Sequence, residues 1–470
     1  MIFSIKKEER EVFEMIRAAS AELGYPAYVV GGYVRDRLLG RPSKDMDVVC
    51  IGSGIELANK VADYMRPRPW VSVFDRFGTA MLKYHDMEIE FVGARKESYQ
   101  ADSRKPAVEN GTLEDDQNRR DFTINALAVS LSDDFGNIID PFGGLRHLEQ
   151  KLIKTPLEPG KTFSDDPLRM MRAIRFSAQL GFRIDDESLE GIKKYKDRIK
   201  IVSKERIISE LNKILLSPKP SVGFKLLFDT GLLQIIFPEM ANLQGVEIRN
   251  GIGHKDNFYH TLQVVDNISE YTSNLWLRWA AVMHDIAKPP TKRFSKTQGW
   301  TFHGHEALGA SWVPKIFKRM KLPLDQKMKY VQKLVRLHLR PISLTKEEIT
   351  DSAVRRLLFE AGDDLDDLMT LCKADITSKN PNKVSRYLEN YQKLEIKLKE
   401  IEEKDHIRNW QPPVSGEVIM KTFNLSPSKE VGIIKNAIRE AILDGVIQNN
   451  YNEAYEFMLK IAQNMGLKPI

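Results

Sequence analysis

Residues 29–49 read VVGGYVRDRLLGRPSKDMDVV, and this stretch decides the fold of the N-terminal part of the chain. A β-branched pair runs into Gly31-Gly32, a short helical pattern follows, and Asp45 and Asp47 then stand two apart beside Val48-Val49. Alternate side chains of a strand share a face. Two carboxylates on one face suit a pair of Mg²⁺ ions, since Mg²⁺ is held by one or two carboxylates plus substrate phosphates. The glycines leave backbone N–H groups able to approach a triphosphate. An isolated pair of this kind is more often a solvated turn, and it is the rest of the chain that turns this one toward chemistry.

At 470 residues the chain exceeds a single core, so about two to four domains are expected. Hydrophobic content of 42% and charged content of 29% are those of a soluble globular protein. Lys and Arg number 71 against 65 Asp and Glu, a net +6 that permits a nucleic-acid partner without requiring one. Cys50 and Cys372 are the only cysteines, too few for a disulfide framework or a cysteine-based zinc site. The start, MIFSIKKEEREVFEMI, is charged and helix-patterned rather than a signal peptide. No apolar run reaches the ~18 residues of a membrane span. A cytoplasmic chain with no membrane partner is expected.

Residues 5–23 carry helical spacing, with Val12, Ile16 and Leu23 near one face. From 27 to about 131, β-rich runs (AYVV, MDVVC, MEIEFVG, INALAVSL) alternate with helical stretches such as ELANKVADYM. DPFGGL at 140–145 is turn chemistry and reads as a hinge. Beyond about 155 helical patterns dominate, and KLEIKLKEIEEKDHIRNW reads as a solvated helix running toward Pro412-Pro413.

Two further constellations carry chemistry. In EDDQNRRDFTINALAVSL, residues 114–131, Arg120 suits a phosphate or a base edge, and Asp121 can accept from a ribose 2′-hydroxyl. Taken alone, Arg119-Arg120-Asp121 reads as a charged cap. In DDPLRMMR, Pro167 fits the first turn of a helix with Asp165 and Asp166 at its N-terminus, and Asp166 and Arg169 fall on one helical face. The bland reading is an i,i+3 ion pair. The functional one is a base reader: cytosine and adenine each offer an amino donor beside a ring-nitrogen acceptor, matching a carboxylate and a guanidinium. Uracil and guanine present the reverse order and would leave buried polar groups unpaired.

GGYVRDRLLG…DMD, RRDFTINALA, DPFGGL, DDPLRMMRAIRFSAQLGF and SKERIISEL occur in the order seen in class II tRNA nucleotidyltransferases, a family that includes CCA-adding enzymes and bacterial poly(A) polymerases. The resemblance covers roughly residues 25–240. It implies catalytic Mg²⁺ at Asp45 and Asp47, nucleotide binding by Gly31, Gly32, Arg35, Asp36, Arg120 and Asp121, and a base template of Asp165, Asp166 and Arg169 with Arg172 nearby. It implies tRNA as partner and CTP and ATP as substrates. Asp165 stands where Glu is usual, and His147 where the hinge usually has Asp. The segment KESYQADSRKPAVENGT, 96–112, is long enough to be the flexible loop that CC-only members lack.

Further on lie His260, His284-Asp285, His303 and His305, His338 and Asp375. Lone histidines are usually satisfied core or surface residues, but imidazoles combined with carboxylates suit Mn, Fe, Co, Ni or Zn. The order resembles the HD phosphohydrolase domain. That resemblance implies a metal site of His260, His284, Asp285, His305, His338 and Asp375, with Lys288 contacting phosphate.

The expected architecture is therefore α+β: a nucleotidyltransferase α/β head over 1–155, an all-α neck over 156–245, an HD domain over 246–400 and a helical tail over 401–470. The expected activity is template-independent CCA addition to tRNA, with phosphohydrolysis at the HD site. An A-adding enzyme or poly(A) polymerase is the alternative within the class. An HD phosphohydrolase with an RNA-binding head, or a non-catalytic tRNA scaffold, is the alternative outside it. Oligomeric state is left open.

Overall fold

The computed structural model describes residues 2–100, 103–345, 349–378 and 380–470. The chain divides into two compact units, 1–236 and 237–470. The break falls ahead of the neck boundary expected at 245, and residues 401–470 belong to the same compact unit as the preceding helices.

The first unit opens with α1 (Lys7–Leu23), which ends where Gly24 takes φ 66° and donates back to the last turn. A seven-stranded sheet follows, with β1 (Ala27–Val30), β2 (Asp45–Cys50), β3 (Val71–Phe74), β4 (Thr79–Tyr84), β5 (Met87–Gly93), β8 (Ala128–Ser130) and β9 (Ile138–Ile139) in the order β3-β4-β5-β2-β1-β8-β9. β2 and β5 pair in parallel and the other neighbours antiparallel. The alternation of β2 is the expected one. Met46, Val48 and Cys50 are buried, and the helix Gly54–Tyr64 packs on β2, β4 and β5. Asp45 and Asp47 take the opposite face, which continues inward as the apolar cluster of Val30, Val49, Ala94 and Ala128.

One expectation for the head needs correction. INALAVSL does not run as one strand. Thr123–Asn125 form a 3₁₀ turn and only Ala128–Ser130 join the sheet, because Asn125 bonds back to Asp121 (2.9 Å) and Thr123 N–H is taken by Lys154 O (2.9 Å). The 96–112 segment, expected as a flexible loop, lies partly outside the described residues. Where described it is a separate antiparallel hairpin, β6 (Arg95–Gln100) with β7 (Ser103–Asn110).

DPFGGL makes the expected turn. Asp140 accepts from Gly144 N–H (2.6 Å) and Leu145 N–H (3.0 Å), while Gly143 has φ 71°. The neck is helical, with buried Met170, Met171, Ile174, Leu211, Ile214 and Phe224. One helix spans Pro159–Asp165 and the next Leu168–Leu180. Asp165 and Asp166 therefore do not share a helix N-terminus, as the sequence reading had it. Asp165 closes the first helix, and Asp166 is extended (φ −137°, ψ 101°), because the residue before a proline is driven out of the α region.

The second unit is built of helices around Phe237, Phe258, Trp279 and Phe317, all fully buried. The polar stretch expected to be a solvated helix, 393–410, is helical only to Asp405, as the end of Pro381–Asp405, and the helix stops at His406 in a left-handed conformation, short of Pro412. Its Leu394, Leu398 and Ile401 are buried, so one face is core. Arg355 binds Asp405 (2.7 Å), and Arg356 binds Glu440 (2.5 Å) and Asp444 (2.7 Å). No helix of the described residues is long and apolar enough to cross a membrane.

Candidate functional site

The first unit contains a cleft of about 770 Å³ that gathers most of the residues singled out in its sequence. One side is acidic. Asp45 and Asp47 project from β2, and β5 sets Glu90 directly opposite Asp47. Glu90 escaped the sequence reading. Its signal is the alternation of MEIEFVG, which acquires meaning only once the β2–β5 register is known. Burial raises the Asp47 pKa; Arg120 pulls the other way, and Asp45 and Asp116 add to the rise. Burial and Asp47 likewise raise Glu90. Carboxylates crowded until their charge becomes costly are what a divalent cation relieves, so the residues fit Mg²⁺.

The other side is basic. Eight arginines line the cleft: 35, 95, 119, 120, 169, 172, 175 and 206. Gly31, with φ 77°, permits the closest approach. A Cβ there would lie 2.8 Å from Arg120 Nη1 and 3.3 Å from Asp47 Oδ2. The expectation that Gly31 offers a free N–H to phosphate is corrected, because that N–H donates to Leu127 O (3.4 Å). Gly32 lines the cleft as expected. Arg35 is on the lining but Asp36 is not. Asp36 instead accepts two bonds from Arg35 (2.9 Å each), while Arg35 also donates to Asn125 (2.7 Å).

Asp121 is buried and fully engaged. Oδ1 accepts from Phe122 N–H and Asn125 Nδ2 (2.9 Å each), and Oδ2 from Arg172 Nε and Nη2 (2.7 and 2.6 Å). Burial opposes its ionisation, but Arg172, Asn125 and Arg169 win and hold its pKa at about 2. A ribose hydroxyl would have to share an oxygen already bonded, so Asp121 anchors Arg172 rather than waiting as an open acceptor. Arg35, Arg172 and Arg175 all stand against the Phe176 ring, 4.8, 5.4 and 4.3 Å from its centroid. Arg175 is paired with buried Glu210 at 3.0 Å.

Asp166 and Arg169 are both on the lining but are not paired with each other, which corrects the ion-pair reading. Asp166 accepts from Leu168 N–H (3.1 Å) and from Arg206 (2.8 Å), and Arg169 donates to Arg119 O. Arg206, from SKERIISEL, thus holds the carboxylate from another helix. His147 is buried with Nδ1 2.9 Å from Thr123 Oγ1, and burial lowers its pKa.

In the second unit the expected histidines and aspartates do converge, and all but His260 come from a helix end. His284-Asp285 follow the helix Leu275–Met283, His305 opens His305–Met320, His338 follows Gln326–Leu337, and Asp375 follows Leu365–Ala374. His260 lies in the interior of a helix, Asn257–Ser269. The ring nitrogens sort by role. Nδ1 of His284, His305 and His338 each lies 2.7 Å from the carbonyl three residues earlier, of Ala281, Phe302 and Val335, and Nδ1 of His260 lies 2.9 Å from Thr377 Oγ1. Protons placed there leave every Nε2 lone pair facing inward.

These Nε2 atoms surround two carboxylates. His260 is 2.9 Å from Asp375 and 3.4 Å from Asp285, while His284 and His305 are 3.3 and 3.2 Å from Asp285. Lys288 reaches Asp285 at 2.6 Å. Burial drives His338 down to about 3, whereas Asp285 and Asp375 overcome burial and raise His284 to about 10. His284 Nε2 is buried without a well-aligned hydrogen-bond partner among the described residues. A nitrogen and oxygen donor set around such an atom fits a divalent transition metal. His303 is exposed and outside this cluster.

Three families match the chain in order: the Poly A polymerase head domain over 27–154, the probable RNA and SrmB-binding site of polymerase A over 181–244, and the HD domain over 257–379. The Multifunctional CCA protein of Methylococcus capsulatus is 32% identical over 371 residues, which span 74% of this chain and 81% of that protein. An A-adding tRNA nucleotidyltransferase of Aquifex aeolicus is 42% identical over 188 residues, but these cover 39% of this chain and 22% of that one. Among solved structures, the Bacillus stearothermophilus CCA-adding enzyme in complex with CTP superposes with a TM-score of 0.67 at 24% identity, covering 98% of this chain and 99% of that one.

Asp121→Ala should destabilise the protein by roughly 2–3 kcal/mol at neutral pH, less than for a wholly buried pair because Arg172 keeps some contact with water. The folded pKa lies below the ordinary carboxylate value, so this contribution is present in full above about pH 4 and lost as pH falls toward about 2. Urea unfolding of both proteins should therefore show the gap closing over that window, and a gap independent of pH contradicts the assignment.

Proposed function

The chain belongs to the family of CCA-adding tRNA nucleotidyltransferases, and on that footing we propose that it adds C, C and A to tRNA 3′ ends from CTP and ATP, and hydrolyses phosphate esters at its histidine–aspartate cluster. The observation that carries the first half is one cleft in which Asp45, Asp47 and Glu90 face a wall of arginines. In the same reading, head, neck, HD domain and tail occupy 1–155, 156–245, 246–400 and 401–470, and the chain works in the cytoplasm, where the buried free thiols of Cys50 and Cys372 would stay reduced. An enzyme that adds only A is less favoured, because the CCA protein matches over most of its length and the A-adding one over a fifth.

Addition joins the primer 3′-oxygen to the α-phosphorus and breaks the bond to the β-phosphate oxygen, releasing pyrophosphate. Mg²⁺ held by Asp45 and Asp47 would supply charge stabilisation at the attacking and leaving oxygens. The chain's own residues position the reactants. Arg120, held beside Asp47 by Asp116, and Arg172, held by Asp121, present guanidinium groups to the triphosphate. Asp166 keeps acceptor capacity beyond its bonds to Leu168 and Arg206, and Arg169 keeps donors beyond its bond to Arg119 O. Together they would accept from the amino group and donate to the ring nitrogen of cytosine or adenine. Asp165 and His147 would act through packing around this pair and the hinge.

At the cluster, His260, His284, Asp285, His305, His338 and Asp375 would hold Mn, Ni, Co, Fe or Zn, which activates water toward phosphorus. Lys288 is placed to neutralise the phosphate. Cyclic 2′,3′-phosphates at damaged RNA ends are the substrates in this reading. Water adds to phosphorus, one bond to a ribose oxygen breaks, and that oxygen takes the proton.

Asp47→Ala should abolish nucleotide addition while leaving tRNA affinity nearly intact, because it removes transition-state stabilisation and not backbone contacts. Near-normal turnover would sink the assignment. Arg169→Ala and Asp166→Ala should each weaken selection of CTP and ATP over UTP and GTP in single-nucleotide assays; wild-type preference in both would leave them as structural residues. The double variant His284→Ala with Asp285→Ala should lose phosphodiester hydrolysis and keep addition. If the wild type shows no hydrolysis with Mn²⁺, Ni²⁺, Co²⁺ or Zn²⁺ in turn, the hydrolase half of the proposal fails.

A further inference from the structure

Beside His305 the second unit has a hollow of about 430 Å³ whose lining includes Lys288, Trp300, Phe302, His303 and Glu306. Apart from Lys288 and His305, the cluster makes no use of these side chains. Next to the hollow stand two short hairpins, Ile248–Arg249 with Ile252–Gly253 and Arg293–Ser295 with Gly299–Thr301. They are joined where Trp300 Nε1 donates to Ile252 O at 2.9 Å.

Three observations give this region a chemistry. Its cations are held against aromatic rings: Lys288 lies 5.5 Å from the Phe302 centroid, Lys292 5.4 Å from Trp300, and Arg249 5.2 Å from Phe294. Among the described residues, Arg293 donates to backbone carbonyls alone, so its charge is unspent. Glu306 lines the hollow with its side chain 29% exposed, and its enclosed Oε2 stands 3.8 Å from His305 Nδ1.

A carboxylate on the wall of a hollow is a strong acceptor, and a ribose hydroxyl is a donor of the right kind. Aromatic faces stack bases with little regard to sequence. Lys288 and Lys292 are also paired with Asp285 and Glu247, so Arg293, with no carboxylate partner among the described residues, is the cation open to a phosphate. Aromatic wall, hydroxyl acceptor and cation are the three recognition elements of a ribonucleotide, and they adjoin the cluster through His305 and Lys288. We infer that this hollow binds the last ribonucleotide of a single-stranded RNA 3′ end, with the hairpins carrying the nucleotide before it. The cluster then acts on phosphates borne by RNA in preference to small phosphodiesters.

The inference rests on the phosphohydrolase reading, so its test separates the two. Full-length wild type, Trp300→Ala and the isosteric Glu306→Gln are assayed on bis-p-nitrophenyl phosphate and on a short single-stranded oligoribonucleotide ending in a 2′,3′-cyclic phosphate. Both variants should raise KM for the RNA, by about fivefold or more for Trp300→Ala. With kcat held and the small diester little affected, the ratio of the two kcat/KM values falls. Equal losses on both substrates, or none on either, overturn it. Should the wild type hydrolyse neither substrate, the phosphohydrolase reading is what fails. Fluorescence anisotropy with an oligoribonucleotide blocked by a 3′-phosphate then decides: weaker binding by both variants supports the hollow as an RNA site, and unchanged binding overturns it.

Discussion

The carboxylate of Asp121 is the interaction on which the first unit's cleft depends. It lies at the end of the arginine-rich turn, and its oxygens tie together that turn, Asn125 and Arg172 of the helix Leu168–Leu180. The charge-assisted bonds are strong enough to outweigh the cost of burying it. From this point the basic wall propagates. Arg172 stands on Phe176, Arg35 and Arg175 crowd the same ring, and Glu210 and Asp36 take up the charge that would otherwise drive them apart. An arginine cluster built this way is rigid before a ligand arrives, so little ordering cost is left for binding.

The second unit meets a related problem with histidines. Four imidazoles and two aspartates packed together would be expensive if each proton were free to choose its site. Backbone carbonyls three residues earlier remove that freedom by lying within reach of Nδ1 in three of the rings, and Thr377 does the same for the fourth. For His284 and His338 that carbonyl belongs to the last turn of a helix, where carbonyls have no intrahelical partner, which is a physical reason for those two ligands to stand there.

Much of this was legible in the chain. The same-face DMD pair, the turn at 140–145 and the helices beyond 155 were read from residue type and spacing and are present, whereas the histidine–aspartate set, which also comes together, was read from its resemblance to the HD domain. What was misread failed for local reasons. INALAVSL has the composition of a strand, but Asn125 and Thr123 make other bonds. DDPLR has the spacing of a helix start, but Pro167 forces Asp166 out of helical geometry. The long polar helix looked solvated because its buried positions, four or three apart, are diluted by charges.

The sequence by itself determined which chemical groups are present and which of them share a strand face or a helix end, because those relations follow from periods of two and 3.6 residues. The opposition of Glu90 to Asp47, the hold of Arg206 on Asp166 and the saturation of Asp121 were decided only by tertiary structure. Each joins residues some forty or more positions apart, and no local period encodes the register or packing angle that brings such groups within a hydrogen bond.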